Sequence, residues 1–353
     1  MKLITDNRFV VFGQTNQGMK NISNKLNLII PNHLQIETVN GMCTSRCTIC
    51  TYKKWERKPQ IMSYDTYKLI IDKFLPHKDH IKYVTLHGFG EPLLDKDLYK
   101  KIKLTKELGF NSIGIATNCT ELTKDKSLEL INAGLDTIIC SVDGFKKETH
   151  ESIRIGTDFE KVVENIENFI NIRNNQVASH SNMLSIDNYL RNKLSKSNQG
   201  IDNFFGKTKI IIRFVRQESN KDEWEDYFDY WNCQLNKKFG DFVTRFDVHN
   251  YADNVDSYED KDVINNDEQI KCVCEDLFDR FFIYSNGDVA FCCADYNGFF
   301  KLGNVLNKDP IEIYNNDKFV HYRKMMKEGR IDELDYCKNC TIPLTRSLKI
   351  QER

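Results

Sequence analysis

The sequence has no apolar stretch near its N-terminus longer than Leu26 to Ile30, far too short to span a bilayer or to form the apolar core of a signal peptide. It also has no excess of charge of either sign. Fifty basic residues face 51 acidic ones, for a net charge of −1. Bulk electrostatics therefore draws the chain neither to nucleic acid nor to a membrane surface. These absences make a cytoplasmic protein with no nucleic-acid and no membrane partner the expectation.

What the chain does have is cysteine, 12 in 353 residues, in an otherwise ordinary globular composition of 40% hydrophobic and 29% charged residues. The length suits one large domain and a small one. In a cytoplasmic chain that many cysteines argue for metal or redox chemistry rather than disulfides. Six fall late, at positions 272, 274, 292, 293, 337 and 340, and three sit together at Cys43, Cys47 and Cys50. The lone Cys119, Cys140 and Cys233 read as small buried hydrophobes.

From Leu34 onward short runs rich in Ile, Val, Leu and Phe alternate with helical stretches. The strand candidates are 34–40, 81–87, 111–116, 135–142, 208–216 and 242–248. Between them, helices are expected from Ser63-Tyr64-Asp65 (with Tyr67, Leu69, Ile70 and Phe74 on one face), over Asp97 to Leu108, Lys124 to Ala133, Phe159 to Ile172 and Glu223 to Phe239. Repeated βα units imply a parallel sheet, and six of them an α/β fold, a partial (β/α)6 TIM-like barrel with its active site at the strand C-termini. Residues 1–33 form an N-terminal extension, too short for a peptide-recognition domain. Residues 34–250 form the barrel. Within it, 176–206 is polar and breaks the pattern, which predicts a surface insertion, with a substrate lid as the sharper alternative. Residues 250–270 are acidic and polar, a linker into a C-terminal part, 251–353.

Cys43, Cys47 and Cys50 follow the apolar run Leu34 to Val39 and the breaker Gly41, which places them on a loop at a strand end. Three thiolates can grip one face of an iron–sulfur cluster, whereas a fully protein-ligated [4Fe–4S] cluster takes four cysteines. One iron would stay open, as the metal of a catalytic site does. A zinc knuckle is the plainer alternative. The CxxxCxxC spacing resembles that of the radical S-adenosylmethionine (SAM) superfamily. The resemblance implies that SAM chelates the fourth iron through its amino and carboxylate groups and is cleaved to methionine and a 5′-deoxyadenosyl radical. An external electron donor such as flavodoxin or ferredoxin is then implied as well.

Four further stretches fit that resemblance. His87-Gly88-Phe89-Gly90-Glu91-Pro92, on its own a helix-entry turn, resembles the family's GGEP motif that holds the SAM amino group. The match falls on Gly90, Glu91 and Pro92, and Phe89 replaces the first glycine. Asn118 ends the third strand, and Ser141 and Asp143 end the fourth, at positions that resemble ribose contacts. Arg154 resembles the arginine that meets the SAM carboxylate, although an ordinary surface arginine is an equal reading. Gln217 and Asn220 end the fifth strand, and Ile49 stands where the family often has an aromatic against adenine.

Ser285-Asn286-Gly287 between two apolar runs predicts a hairpin that folds Cys292 back toward Cys274, and Cys337-Lys338-Asn339-Cys340 adds a CxxC knuckle. Cys274, Cys292, Cys337 and Cys340 make one closed four-thiolate site, with Cys272 and Cys293 as neighbours that could substitute. Zinc would satisfy it as well as iron–sulfur. The pattern resembles the SPASM domain in its shorter, single-cluster twitch form, a hairpin-plus-helix unit. That resemblance implies an auxiliary [4Fe–4S] cluster, and cysteines for a second one are absent.

Together these features imply a radical SAM enzyme. An open cluster paired with a closed one suits a two-electron oxidation, and the Cys292-Cys293-Ala294-Asp295 tract resembles that of aminocyclitol alcohol dehydrogenases and related sugar-modifying enzymes. Oxidation of a secondary alcohol on a small sugar- or cyclitol-like molecule is therefore expected. An epimerase that returns a hydrogen atom from Cys233, Cys272 or Cys293 is one alternative. A maturase acting on a ribosomally made peptide is another. A non-catalytic iron–sulfur or zinc protein fits the three-cysteine loop least.

Overall fold

The computed structural model describes residues 28–191, 208–256 and 274–342. The expectations for residues 1–27, Cys272, and most of the linker fall outside that range.

Eight strands form the central sheet: β1 His33–Ile36, β2 Tyr83–Thr85, β3 Ile113–Thr117, β4 Thr137–Ser141, β5 Lys209–Arg216, β6 Phe242–Asp247, β7 Arg280–Ile283 and β8 Val289–Ala290. Their spatial order is β6-β5-β4-β3-β2-β1-β7-β8. Every neighbouring pair is parallel except β7 with β8. All six expected barrel strands are present, in sequence order across the sheet, with β6 and β8 at its two ends rather than joined.

The sheet reaches further than the sequence suggests. The hairpin expected to belong to a separate small unit instead contributes β7, which pairs in parallel with β1 through His33↔Arg280, Leu34↔Phe281, Gln35↔Phe282 and Ile36↔Ile283. A hairpin turn signals the pairing of its own two strands and carries nothing about a third strand some 240 positions away.

The helices follow the strands: α1 Tyr64–Asp72, α2 Leu98–Glu107, α3 Lys124–Asn132, α4 Lys147–Ile153, α5 Phe159–Arg191 and α6 Trp224–Gln234. The last three are α7 Asp276–Asp279, α8 Pro310–Tyr314 and α9 Asp317–Lys327. Ser63 caps α1 by accepting from the Thr66 amide. The buried stripe of α1 is Tyr67, Ile70 and Ile71, continued by Phe74, while Leu69 is 60% exposed, contrary to expectation. Residues 67, 70, 71 and 74 share one helical face, and 69 does not. The other surprise is length. α5 continues to Arg191, so helical backbone occupies the first half of the stretch read as an insertion, and 192–207 lie outside the described residues.

Alternation along the strands builds two surfaces. Leu34, Ile36, Ile113, Ile115, Ile138, Ile210, Ile212 and Phe214 are fully buried in the core that includes Ile70, Ile102, Ile166 and Phe169 of the helices. The intervening His33, Gln35, Ile139, Ser141, Ile211, Arg213, Val215 and Thr244 line a cavity on the inner face of the sheet. Among the described residues no helix is long and apolar enough to cross a membrane.

Candidate active site

The inner cavity has a volume of about 370 Å³, in the range of small-molecule sites. Its lining includes Cys43, Cys47, Cys50, Gly90, Glu91, Asn118, Ser141 and Arg154, so the expected residues from five separate segments converge on one space. Ile49 lines it too, whereas Pro92, Asp143, Gln217 and Asn220 do not.

Short-range pairing fixes the cysteine loop. Arg46–Cys47 pairs antiparallel with Arg154–Ile155, which sets Cys47 opposite Arg154. The Gly41 amide donates to the Phe89 carbonyl and the Glu91 amide to the Met42 carbonyl, joining the loop to the turn after β2. Gly90 is required there, because a Cβ at that position would lie 2.5 Å from the Val39 carbonyl oxygen and 2.9 Å from that of Met42. The thiols sit among donors: Ser45 Oγ is 2.9 Å from Cys47 Sγ, Arg154 Nη1 donates to Cys47 Sγ at 3.7 Å, and Asn118 Nδ2 donates to Cys43 Sγ at 3.5 Å. Burial, with Cys47 close by, pushes the Cys50 thiol up to about 12, and burial also raises that of Cys43. Deprotonating such thiols takes a nearby positive charge, which a bound metal cluster provides.

The buried Glu91 carboxylate accepts from the Leu93 amide at 3.0 Å, the Thr117 hydroxyl at 2.7 Å and the Asn118 amide at 2.9 Å. Burial raises its pKa against the pull of these three donors. Both lone pairs of Oε1 are taken, and Oε2 keeps one for a ligand. Asp143 is fully buried. One of its oxygens accepts the Val215 amide at 2.8 Å and the other pairs with Arg154 Nη2 at 2.7 Å. The two residues assigned to ribose and to the SAM carboxylate thus meet each other, with Arg154 standing between Asp143 and Cys47. Ser141 Oγ accepts from Arg213, and the Asn118 amide group is engaged with Thr44 as well as Cys43.

A second cavity is lined by Cys274, Cys292, Cys293, Cys337 and Cys340, walled by Leu277, Phe291, Met326 and Tyr336. All four expected ligands meet there, and so does Cys293, which lines the first cavity as well. Burial followed by repulsion from Cys293 raises the Cys292 thiol. Asp295 of the same tract is buried and accepts from the Phe291 and Phe299 amides, so its part is to fix the loop. Zinc needs thiolates about 3.8 Å apart, given Zn–S bonds of about 2.3 Å. Among the described residues the one set of metal-ligating atoms lying within 4.8 Å of one another is Glu151, Asp158 and Glu160, so neither cysteine group has zinc spacing. Wider thiolate cages suit polynuclear iron–sulfur clusters, whose irons are spread over several ångströms.

Of the three lone cysteines, Cys119 and Cys140 are buried as expected, but Cys233 is exposed on α6 and absent from the cavity lining. Of the thiols considered for hydrogen return, Cys293 lines the cavity and Cys272 lies outside the described residues.

The sequence reading missed two features. One is the pairing of the buried Glu37 with Arg57. The other is the polar inner lining of His33, Gln35, His87, Arg213 and Arg280. A signal for the latter exists: Arg213 interrupts the apolar strand Ile210-Ile211-Ile212-Arg213-Phe214.

Comparison with known proteins yields the same two parts. Residues 38–189 match the model of the radical SAM superfamily, and residues 272–341 match that of an iron–sulfur cluster-binding domain, SPASM. A probable GTP 3′,8-cyclase of Saccharolobus islandicus is 32% identical over 135 residues, 38% of this chain and 42% of its own. A tungsten-containing aldehyde ferredoxin oxidoreductase cofactor-modifying protein of Pyrococcus furiosus is 30% identical over 105 residues, 30% of this chain and 29% of its own. The chain therefore spans less than half the length of these curated relatives. Among solved structures, BtrN in complex with AdoMet and 2-DOIA has a TM-score of 0.55 at 18% identity, covering 91% of this chain and 96% of its own. SuiB of Streptococcus suis bound to the precursor peptide SuiA has a TM-score of 0.59 at 14% identity, covering 84% and 68%. At these identities the likeness is one of fold.

Proposed function

Because the chain carries a radical SAM domain joined to an iron–sulfur cluster-binding SPASM domain, we propose that it oxidises a secondary alcohol of a small sugar- or cyclitol-like substrate, with the auxiliary [4Fe–4S] cluster as electron acceptor. The observation that carries this reading is the shared wall. Cys293 lines both the inner cavity and the five-cysteine cavity, so a substrate in the first lies one residue from the second site.

Cys43, Cys47 and Cys50 would hold the open cluster, with Gly90, Glu91, Asn118, Ser141 and Arg154 around SAM, and Cys274, Cys292, Cys337 and Cys340 would hold the closed one. SAM on an open cluster reduced by an external flavodoxin or ferredoxin would supply a radical that takes one hydrogen atom from the substrate carbon, leaving a proton to be lost to solvent or a base and one electron to be taken by the closed cluster. Arg154 balances thiolate charge at Cys47 and is itself steered by Asp143. Glu91 ties the ends of the second and third strands together and keeps an acceptor site toward the cavity. Gly88, Phe89 and Trp55 complete the lining beside them. The polar inner lining suits a hydroxylated small molecule.

Anaerobic reconstitution followed by SAM and reductant tests the reading. The expected results are about eight irons per chain, four for each of two clusters, 5′-deoxyadenosine, and a product lighter by two hydrogens. Absence of 5′-deoxyadenosine would sink the enzyme assignment. The position of Cys293 favours one second reading, an epimerase whose thiol returns a hydrogen atom. That reaction leaves the substrate mass unchanged in ordinary water and adds one deuterium in D₂O. A peptide substrate is the remaining alternative, and a candidate precursor peptide belongs in the same assay.

A further inference from the structure

The inner cavity holds a cluster of nitrogen donors outside the set of residues placed around SAM, one of which, Arg213, also bonds Ser141 of that set. Arg213 projects from β5, Arg280 opens β7 and His87 follows β2, and all three line the cavity. Arg213 Nε, Arg280 Nε and His87 Nδ1 are each shut off from outside water and have no hydrogen-bond partner among the described residues. An orphaned buried donor costs about 1–3 kcal/mol, and more when charged, so three in one cavity call for a ligand.

Charge points the same way. The arginines lining the cavity are Arg154, Arg213 and Arg280. Arg154 is balanced by Asp143, and Arg280 pairs with Asp276 at 3.3 Å while donating to Gln35. Among the described residues Arg213 makes no ion pair. One of its five N–H groups donates to Ser141 Oγ at 2.7 Å, and the rest are uncommitted. The carboxylates that line the cavity are already engaged: Glu91 takes three donors of its own chain, and Asp247 is held by Arg216 at 2.6 and 3.0 Å. Burial lowers the Arg213 guanidinium from its ordinary range, and the charge of Arg154 lowers it further. Burial, then Arg213 and Arg280, push His87 down to about 3, so it stays a neutral imidazole that can donate one N–H.

We propose that Arg213, His87 and Arg280 form a subsite for an anionic group of the substrate, a carboxylate or phosphate. The inference rests on the inner cavity being the substrate chamber. It narrows the expected sugar-like molecule to an acidic or phosphorylated one, since guanidinium forks pair bidentately with both groups. SAM also carries a carboxylate, and Arg213 reaches toward the SAM side of the cavity through Ser141, whereas Arg280 is set apart from it. Arg280 bonds to Gln35 within β1, below the cysteine loop that follows that strand, whereas Arg154 is the guanidinium beside Cys47.

The test is calorimetric titration of inorganic phosphate and of acetate into reconstituted holoenzyme already saturated with SAM. One of the two should bind at one site per chain, and Arg213→Gln should weaken that binding at least tenfold while Arg213→Lys restores part of it. Arg280→Gln should weaken it as well, which guards against one misfolded variant. No saturable binding of either anion, or binding unaffected by both glutamine variants, overturns the proposal. If Arg213→Gln instead weakens SAM itself and leaves the anions alone, the arginine serves the SAM carboxylate and the proposal fails. Because the titration reads binding and not turnover, anion binding without 5′-deoxyadenosine formation would sink the enzyme assignment alone. The reverse result would sink the subsite alone.

Discussion

The Glu37 carboxylate grips the Arg57 guanidinium at two points, Oε1 to Nη2 at 2.6 Å and Oε2 to Nη1 at 2.8 Å. The same carboxylate accepts the Phe89 amide at 3.1 Å and the Ser285 amide at 3.0 Å, and Arg57 donates onward to the Tyr296 carbonyl at 2.8 Å. One fully buried acid therefore joins the end of β1, the exit of the cysteine loop, the turn after β2 and the C-terminal hairpin.

Glu37 is fully buried whereas the Arg57 side chain is 14% exposed, so removing Arg57 leaves a buried carboxylate without its counter-charge. Arg57→Ala is expected to cost about 3–5 kcal/mol of stability and to lower the iron bound at both sites. Anaerobic denaturant unfolding with iron analysis checks it. A loss under about 1 kcal/mol would mean that the pair is worth no more than a surface contact.

Phe89 stands where the resembled motif has glycine, and its ring explains the departure. It stacks on Phe282 at 5.6 Å and meets Trp55, Tyr284 and Tyr296 edge-on or tilted at 6.2 to 6.5 Å. Phe89→Ala should cost about 3–5 kcal/mol. Phe89→Leu, which keeps most of the volume, should cost less. Equal stability of wild type and Phe89→Ala in an unfolding titration would refute the packing role.

His150 is fully buried, accepts the Asp143 amide on Nδ1 and is held neutral, its pKa pushed from 6.5 to about 3 by burial and then by Arg154. The folded state therefore binds fewer protons than the unfolded one between those values. Its contribution to stability is complete above pH 6.5 and declines as the pH falls toward 3. From pH 7 to pH 5 the loss should be about 2 kcal/mol, and His150→Gln should remove that slope. Unfolding curves at the two pH values, with the same slope in wild type and variant, would contradict this.

The two cysteine sites should separate by mutation. Cys43→Ala should abolish 5′-deoxyadenosine formation. Cys337→Ala should retain part of that cleavage, bind about four irons and make no oxidised product. Intact turnover in the Cys337 variant would exclude an electron-accepting role for the second cluster. Cys292→Ser should lose the auxiliary cluster while Cys293→Ser keeps it, and the reverse outcome would exchange the two as ligands.

The strands and most helices were legible because their signals are local: continuous Ile and Val runs for buried parallel strands, Ser63 as a cap, and the periodic Val162, Ile166, Phe169 and Ile170, all buried. The cysteines were legible from spacing. Asp143 and Arg154 were both singled out, but their mutual pairing depends on a fold that brings β4 beside the segment after α4. Glu37 carried no signal, because an acid after an apolar strand reads as solvated until Arg57 is found opposite it. Arg280 carried no signal either, because the register of β7 against β1 is written in no local pattern.

That register has a bearing on biosynthesis. β7 is made some 240 residues after β1, so one edge of β1 waits unpaired until those residues have been made. The Ser285 amide, which completes the bonding of Glu37, arrives equally late. The chamber around Cys43, Cys47 and Cys50 thus gains its final wall after the segment with Cys274 and Cys292 has been made. A nascent chain stalled before that point would present an exposed strand edge and three accessible thiols, the state most open to aggregation and oxidation. Truncation at the linker would yield an unfinished sheet in place of a free-standing catalytic domain.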